Sequence, residues 1–139
     1  MSIINTKISA SLEDYLEAIY QIIEEKNGVK AIEVSRKLGV GRSSVTEALK
    51  LLADKNLIIY NRYEAISLTK EGEKAAQSVV LRHSTLYAFF KDILGLSPEE
   101  SNENACKVEH VISNDALTKF IEFIDFAKTS NCINTFKNK

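Results

Sequence analysis

The sequence is poor in helix breakers and in cysteine. Its 139 residues include one proline, five glycines, two cysteines and no tryptophan. So few prolines and glycines leave long stretches free of helix breakers, which favours a mainly helical chain. Two cysteines 26 positions apart are not the pattern of a disulfide framework, so we expect reduced thiols.

Long apolar runs are also missing. No run approaches the roughly 20 residues that cross a bilayer. The first ten residues lack the basic and then apolar pattern of a secretory signal. We therefore expect a cytoplasmic protein that does not insert into a membrane.

Charge is unevenly distributed behind a net value of −1. Residues 30–70 carry a net charge of +4, whereas residues 1–29 carry −3 and residues 93–139 carry −2. One basic segment in an otherwise neutral or acidic chain is typical of a DNA-binding module attached to another domain.

The basic segment has the pattern of a winged helix-turn-helix. Residues 31–38 predict a short amphipathic helix, residues 39–41 a tight turn with two glycines, and residues 42–55 a second helix. The runs 57–60 and 65–68 predict two short strands joined as a hairpin, the wing. In this motif the start of the second helix lies near base edges in the major groove of DNA.

Candidate DNA contacts follow from that placement. They are Arg42, Ser43, Ser44, Thr46, Glu47, Lys50 and, at the tip of the wing, Arg62. Hydroxyl and cationic groups suit phosphates or base edges, and a carboxylate can accept from a cytosine amino group. The alternative is an amphipathic helical hairpin whose basic face is only solvated.

Helical patterns flank this module. Ser11 and Asp14 approximate a capping box at the start of a first helix. Thr69 is expected to cap a long helix that runs without interruption to residue 93 or 94. Ser97 followed by Pro98 predicts the start of another helix.

The last third of the chain is expected to form two helices and an irregular end. The helix that begins after Ser97 is expected to end near Ser113, and Asn114 is expected to cap a final helix. Residues 129–139 are polar and are expected to be frayed.

Residue types that ligate metals recur at helical spacing on three predicted helices. They are Asp14, Glu17, His83, Cys106, Glu109 and His110. Spacings of three and four residues put the members of one helix on one face. Mixed oxygen, nitrogen and sulfur ligands suit a divalent first-row metal, and the absence of a cysteine pair at zinc-finger spacing excludes a zinc finger. Taken singly, each residue also fits a plainer role as a cap, a solvated charge or a packing group.

With these residues in view, the chain resembles the diphtheria toxin repressor family of iron- and manganese-dependent regulators. The matching stretches are residues 13–20, 31–52, 68–72, 82–83 and 105–113. The resemblance implies a homodimer with metal held between an N-terminal winged helix-turn-helix and a helical dimerisation domain. The length of 139 residues favours the short manganese-type architecture, without the SH3-like domain of longer members.

The resemblance also implies a ligand set. One site would use Asp14, Cys106, Glu109 and His110, and an adjacent site would use Glu17 and His83, with Glu109 bridging. One or two Mn²⁺ or Fe²⁺ ions per subunit are therefore expected.

Four positions depart from one branch of the family or the other. The manganese branch often has glutamate in place of Cys106, and the iron branch often has methionine in place of Asp14. Asn102 and Tyr87 stand where the iron branch has a histidine and a glutamate of its ancillary site.

These observations predict a mainly α-helical protein. A winged helix-turn-helix domain over residues 1–72 would precede a helical metal-binding and dimerisation domain over residues 73–139. The expected function is an Mn²⁺- or Fe²⁺-dependent repressor of metal-uptake genes, bound as a homodimer to a near-palindromic operator in double-stranded DNA. The many large apolar groups of the last two helices also favour a dimer.

Two other functions stay open at this point. A winged-helix regulator could sense a small organic ligand in a pocket lined by Tyr15, Tyr20, Tyr87 and Phe89. A metalloenzyme could use Glu109 or His110 in hydrolysis, but no nucleophile motif or phosphate-binding loop supports it. The sequence therefore predicts a protein that is not an enzyme.

Overall fold

The computed structural model describes residues 8–26, 28–61 and 63–137, and these are mainly helical. The elements are α1 (Ala10–Glu25), α2 (Ala31–Leu38), α3 (Arg42–Asp54), β1 (Ile58–Ile59), β2 (Ser67–Leu68), α4 (Lys70–Ala88), a π-helical turn (Phe89–Ile93), α5 (Pro98–Val108), α6 (Asn114–Thr129) and α7 (Cys132–Lys137). The chain divides into two compact units, an N-terminal unit up to Ser78 and a C-terminal unit from Val79. The domain boundary after residue 72 stays a prediction.

A winged helix-turn-helix forms most of the N-terminal unit, as predicted. Between α2 and α3 the chain turns at Gly39, whose φ of +66° favours glycine. The strands β1 and β2 pair antiparallel, with Ile58 opposite Leu68. A further bridge was not predicted from the sequence: the Ile66 amide donates to the Val29 carbonyl at 2.7 Å. This bridge ties the hairpin to the segment that precedes α2.

The N-terminal unit has a continuous aliphatic core. Its fully buried members come from α1, α2, α3 and the wing, and they include Leu16, Ile19, Val34, Leu49, Leu52 and Ile66. These residues recur at the helical spacing seen in the sequence, because each helix turns one apolar stripe inward. On the surface, the Lys26 ammonium hydrogen-bonds Glu33 at 2.6 Å and lowers the pKa of that carboxyl.

The junction between wing and α4 is tightly packed. As expected, Thr69 caps α4: its hydroxyl accepts from the Gly72 amide at 3.0 Å and donates to the Asn56 carbonyl at 2.7 Å. A Cβ at Gly72 would lie only 1.7 Å from the Leu57 carbonyl oxygen. Only glycine therefore allows α4 to start this close to the chain that enters β1.

The start of α1 differs from the prediction. The N-cap is Ser9, whose hydroxyl accepts from the Leu12 amide at 3.2 Å, and the helix begins at Ala10. The expectation that Ser11 caps the helix was wrong because an equally good cap stands two residues earlier. Asp14 consequently lies inside α1, beyond its first turn.

The C-terminal unit begins its helix α5 as predicted. The Ser97 hydroxyl accepts from the Glu100 amide at 3.1 Å, and Pro98 is the first helical residue. However, α5 ends at Val108 rather than near Ser113. Ser113 caps α6 instead, accepting from the Ala116 amide at 3.1 Å, so the expectation that Asn114 is the cap was wrong by one position.

Two more segments were predicted differently. The long helix does not stay α-helical up to residue 93, because residues Phe89–Ile93 form a π-helical turn. Residues Cys132–Lys137 form the short helix α7 where frayed chain was expected, and Ile133 packs against the small buried cluster of Ile93, Ile124 and Ala127. In the described part of the chain, no helix is both long enough and apolar enough to span a membrane.

Candidate metal centre and nucleic-acid interface

Three potential metal ligands meet within the C-terminal unit. His83 projects from α4, Cys106 from the last turn of α5, and Glu109 is the C-cap residue directly after α5. One ligand atom from each lies within 4.8 Å of the others. The His83 Nδ1 is 2.9 Å from the Glu109 Oε2 and 3.8 Å from the Cys106 Sγ. We call these three residues the His–Cys–Glu cluster.

Glu109 is the buried centre of this arrangement. Its side chain is 1 % exposed, and its second oxygen, Oε1, lies 3.4 Å from the His110 Nε2. Although α5 ends before Glu109, the backbone there keeps right-handed helical angles (φ −58°, ψ −28°). The three-residue spacing from Cys106 therefore still places both side chains on one side, as the sequence analysis expected.

The chemistry of Glu109 fits a cation. Burying a carboxylate costs several kcal/mol in rough terms unless opposite charge or hydrogen bonds compensate. Yet the Glu109 Oε1 is buried and accepts no hydrogen bond from the residues that the structure describes. An anionic oxygen with an open lone pair, beside an imidazole and a thiol, is a donor set that a divalent first-row ion can use.

His83 has two further neighbours that the sequence analysis did not use as site residues. Its Nε2 lies 3.0 Å from the Asn102 Oδ1, and the Tyr87 ring lies nearly parallel to the imidazole, with centroids 6.3 Å apart. The signal was available in the spacing. Asn102 precedes Cys106 by four residues, and Tyr87 follows His83 by four, so each pair shares a helix face.

Asp14 and Glu17 lie in the N-terminal unit, on α1. Asp14 is exposed and Glu17 is half-buried. Their spacing of three residues puts them on one face of the helix. Their assignment as metal ligands stays a prediction.

The grouping inside the C-terminal unit differs from the pairing that the resemblance implies. In the pairing that the resemblance implies, Cys106 and His83 belong to adjacent sites that share Glu109. In the structure, the Cys106 Sγ and the Glu109 Oε2 both approach the same nitrogen of His83, Nδ1. His110 contacts the other oxygen of that carboxylate.

The helix α3 has one buried face and one exposed face, as expected of a recognition helix. Val45, Leu49 and Leu52 are buried in the core. The opposite face exposes the predicted contacts Arg42, Ser43, Ser44, Glu47 and Lys50. No acidic residue lies in the first turn of α3, so the positive end of the helix dipole is open to phosphate.

The remaining predicted DNA contacts are less simple. Thr46 is half-buried, and its hydroxyl donates to the Arg42 carbonyl at 3.0 Å, so this group is already used within the helix. Arg62 lies outside the described residues. All seven DNA contacts stay predictions.

Two family models together match most of the chain. The N-terminal DNA-binding domain of iron-dependent repressors matches residues 7–66, and their metal-binding and dimerisation domain matches residues 69–135. An HTH-type transcriptional regulator of Methanocaldococcus jannaschii is 35 % identical over 85 % of this chain and 95 % of its own length.

The chain belongs to the iron-dependent repressor family, that of the diphtheria toxin repressor. The resemblance stated from the sequence is thereby confirmed. As a family member it is a metal-dependent, DNA-binding transcriptional regulator with a dimerisation domain, and it is not an enzyme. The metalloenzyme alternative is therefore excluded, and the sensor of a small organic ligand is not favoured.

Other members of the family are similar over much of this chain. The regulator MntR of Shouchella clausii is 34 % identical over 84 % of this chain and 80 % of its own length. A manganese-dependent transcriptional repressor, solved in complex with manganese, is 28 % identical, with a TM-score of 0.76 over 83 % of this chain and 53 % of its own. ScaR with bound Zn²⁺ is 27 % identical, with a TM-score of 0.71. The chain spans about half the length of these two solved proteins.

The aromatic residues proposed for an organic-ligand pocket serve other contacts. Tyr15 is buried in the core of the N-terminal unit, and Tyr87 lies beside His83. Phe89 packs edge-on against Phe120, with ring centroids 4.8 Å apart. These contacts give each ring a packing role.

Proposed function

We propose that this protein is a repressor of metal-uptake genes that binds a near-palindromic operator as a homodimer when Mn²⁺ or Fe²⁺ occupies its site. The observation that carries the proposal is the buried Glu109 carboxylate between two imidazoles and a thiol. The solved manganese and zinc complexes of relatives support the same class of ion. As a DNA-binding regulator of transcription, it would act in the cytoplasm.

The ligands we propose are Asp14, Glu17, His83, Cys106, Glu109 and His110. When bound, a divalent ion supplies the positive charge that a buried carboxylate requires. Glu109 would offer both oxygens, His83 and His110 one nitrogen each, and Cys106 its sulfur as thiolate. Asp14 and Glu17 are carried by α1, so these ligands would link the DNA-binding unit to the state of the site.

The metal site can control DNA binding only if the ion binds two arrangements of the protein with different affinities. Occupancy of the site must favour the arrangement that binds DNA, because equal affinity for both arrangements would shift nothing. In the two-fold symmetric dimer, the two copies of α3 would read two half-sites at matching separation, which requires a near-palindromic operator.

The site should lose affinity for metal in acid. Both imidazoles must be neutral and the thiol must be ionised to coordinate, so metal and protons compete for the same atoms. Affinity is therefore expected to fall as the pH drops and protons compete with the ion. A chelator competition with Mn²⁺ between about pH 8 and about pH 5.5, a range that spans the ordinary pKa of an imidazole, checks this.

The decisive experiment is an anaerobic gel-shift titration with Fe²⁺, Mn²⁺ and Zn²⁺, paired with the metal content per subunit. We expect metal to stimulate DNA binding by the native chain. Glu109→Gln and His110→Ala should abolish the stimulation, whereas Glu103→Gln, which changes an exposed carboxylate on α5, should leave it intact. A normal metal response in either ligand variant would refute the site.

A further inference from the structure

The outer edge of His83 is held by an amide. The Nε2 lies 3.0 Å from the Asn102 Oδ1, while Nδ1 faces the Glu109 Oε2 at 2.9 Å. An amide oxygen only accepts hydrogen bonds, so Nε2 must carry a hydrogen and donate it. In a neutral imidazole the lone pair is then on Nδ1, the nitrogen that faces the His–Cys–Glu cluster.

The same helix supplies the acceptor and the thiol. Asn102 and Cys106 are four residues apart on α5, so they share a face. Cys106 Sγ approaches His83 Nδ1 at 3.8 Å, while Asn102 bonds the opposite nitrogen of the ring. A shift of α5 along α4 would therefore disturb both contacts together.

An amide is suited to this place because it is neutral. It orients the imidazole without adding another carboxylate's charge to the site, and as a ligand for first-row ions it is weaker than imidazole or thiolate. Tyr87 lies nearly parallel to the His83 ring, at an interplanar angle of 15°, and restricts its rotation from one side.

We infer that Asn102 is a positioning residue of the metal site: it accepts a hydrogen bond from the Nε2 of His83 and thereby presents Nδ1 to the ion. This inference rests on the proposed function, since it concerns how one of the proposed ligands is oriented. Asn102 itself does not contact the ion. Partners of this kind orient ligating histidines and raise their basicity.

Removal of the acceptor tests the inference through metal affinity. Asn102→Leu keeps a helix-compatible residue of similar size, and we expect it to weaken Mn²⁺ binding in a chelator competition by about 10–100-fold. The matched control is Asn104→Leu. Asn104 lies on the same helix, but its amide donates to the Glu100 carbonyl at 2.8 Å, so Mn²⁺ affinity should not change.

Two aspartate variants distinguish orientation of the His83 ring from simple electrostatic attraction of the ion. Asn102→Asp keeps an acceptor for Nε2, whereas Asn104→Asp adds the same charge to the same helix without that hydrogen bond. We expect Asn102→Asp to bind Mn²⁺ more tightly than Asn104→Asp. Equal affinity of the two aspartate variants would mean that only charge matters and would overturn the inference.

A spectroscopic measurement decides the point without any variant. The chain contains only two histidines, so the imidazole region of a ¹⁵N–¹H correlation spectrum of the Zn²⁺-loaded full chain has two spin systems. We expect His83 to be protonated at Nε2 and metal-bound at Nδ1. His110, whose Nε2 faces Glu109, should show the opposite pattern.

The outcomes separate the two proposals. A native chain that binds neither Mn²⁺ nor Zn²⁺ would refute the proposed function. If the native chain binds metal but His83 is bound through Nε2, or if Asn102→Leu binds like Asn104→Leu, the proposed function stands and the role of Asn102 is refuted.

Discussion

The two units of the molecule bury apolar side chains in different ways. The N-terminal unit encloses one large aliphatic cluster, in which residues such as Leu16, Ile19 and Leu49 are fully buried. The C-terminal unit has a small cluster of Ile93, Ile124 and Ala127. It leaves large apolar residues on its surface, among them Val111 (80 % exposed), Phe126 (60 %) and Phe136 (51 %).

This difference favours a partner surface on the C-terminal unit. Large exposed apolar groups that lie together mark an interaction surface. On α6, Phe123 lies next to both Phe126 and Phe89, with ring centroids 6.3 and 6.4 Å apart. The matching of this unit to a metal-binding and dimerisation domain agrees with that surface.

The largest expected effect breaks the N-terminal unit alone. Gly72→Ala would force a Cβ to within 1.7 Å of the Leu57 carbonyl oxygen, so the start of α4 must move. We expect a loss of unfolding free energy of about 4 kcal/mol, at the upper end of overpacking effects. Urea unfolding followed by circular dichroism measures it.

The matched control is another glycine of the same unit. At Gly41 an added Cβ meets nothing within 4 Å, so Gly41→Ala should cost less than about 1 kcal/mol. Sedimentation should still find a dimer for Gly72→Ala, because the aromatic surface of α6 is unchanged. Native-like stability of Gly72→Ala would contradict the packing described at this junction.

The next prediction tests the aromatic surface of the C-terminal unit as the dimer interface. Phe123→Lys puts a charge on the aromatic surface, where burial against a second copy would leave it unpaired. We expect the dimer to weaken by about 2–3 kcal/mol, as for the central residues of other interfaces. Sedimentation equilibrium measures this, and Tyr63→Lys, at an exposed ring of the N-terminal unit, serves as control. Equal dimer stability in the two variants would show that this surface is not the interface.

A smaller effect concerns the choice of metal. Cys106→Glu replaces a soft sulfur by a hard oxygen, which should favour Mn²⁺ over Fe²⁺ or Co²⁺. We expect a shift in relative affinity of about tenfold, or about 1.4 kcal/mol. Competition between Mn²⁺ and Co²⁺ measures it, with Cys132→Ser as the control. An unchanged ranking of metals would show that the Cys106 sulfur is not a ligand.

The smallest effect tests the DNA face of the N-terminal unit. Lys50 is exposed on α3, and Lys50→Ala should weaken DNA binding alike for all sequences. The slope of log affinity against log salt should fall by about one. Lys128→Ala, at an exposed lysine of α6, should change neither quantity. An unaltered slope for Lys50→Ala would exclude a phosphate contact at this residue.

Much of the N-terminal unit was predictable because its signals are local. The helix α2 has the predicted bounds, α3 ends one residue earlier than predicted, and the hairpin lies within the two predicted runs. Periodic apolar residues and glycines at the turn act over a few residues, so a single sequence reveals them. The start of α1 was misplaced because Ser9 and Ser11 are chemically equivalent caps, and only the packed helix selects between them.

The C-terminal unit was harder to predict because its signals are tertiary. Residues Cys132–Lys137 form α7, where Ile133 reaches the cluster of Ile93, Ile124 and Ala127. The π-helical turn at Phe89–Ile93 likewise coincides with the packing of Phe89 against Phe120. Periodicity along the chain does not register contacts of this kind.

The sequence by itself determined the residue types at the site and their spacing along each helix, since a helix turns through fixed angles. It did not determine which atoms of different helices meet. Only the tertiary structure placed Cys106 and Glu109 against one nitrogen of His83 and Asn102 against the other. The distance between α4 and α5 depends on how their side chains pack, and packing depends on residues far apart in the chain.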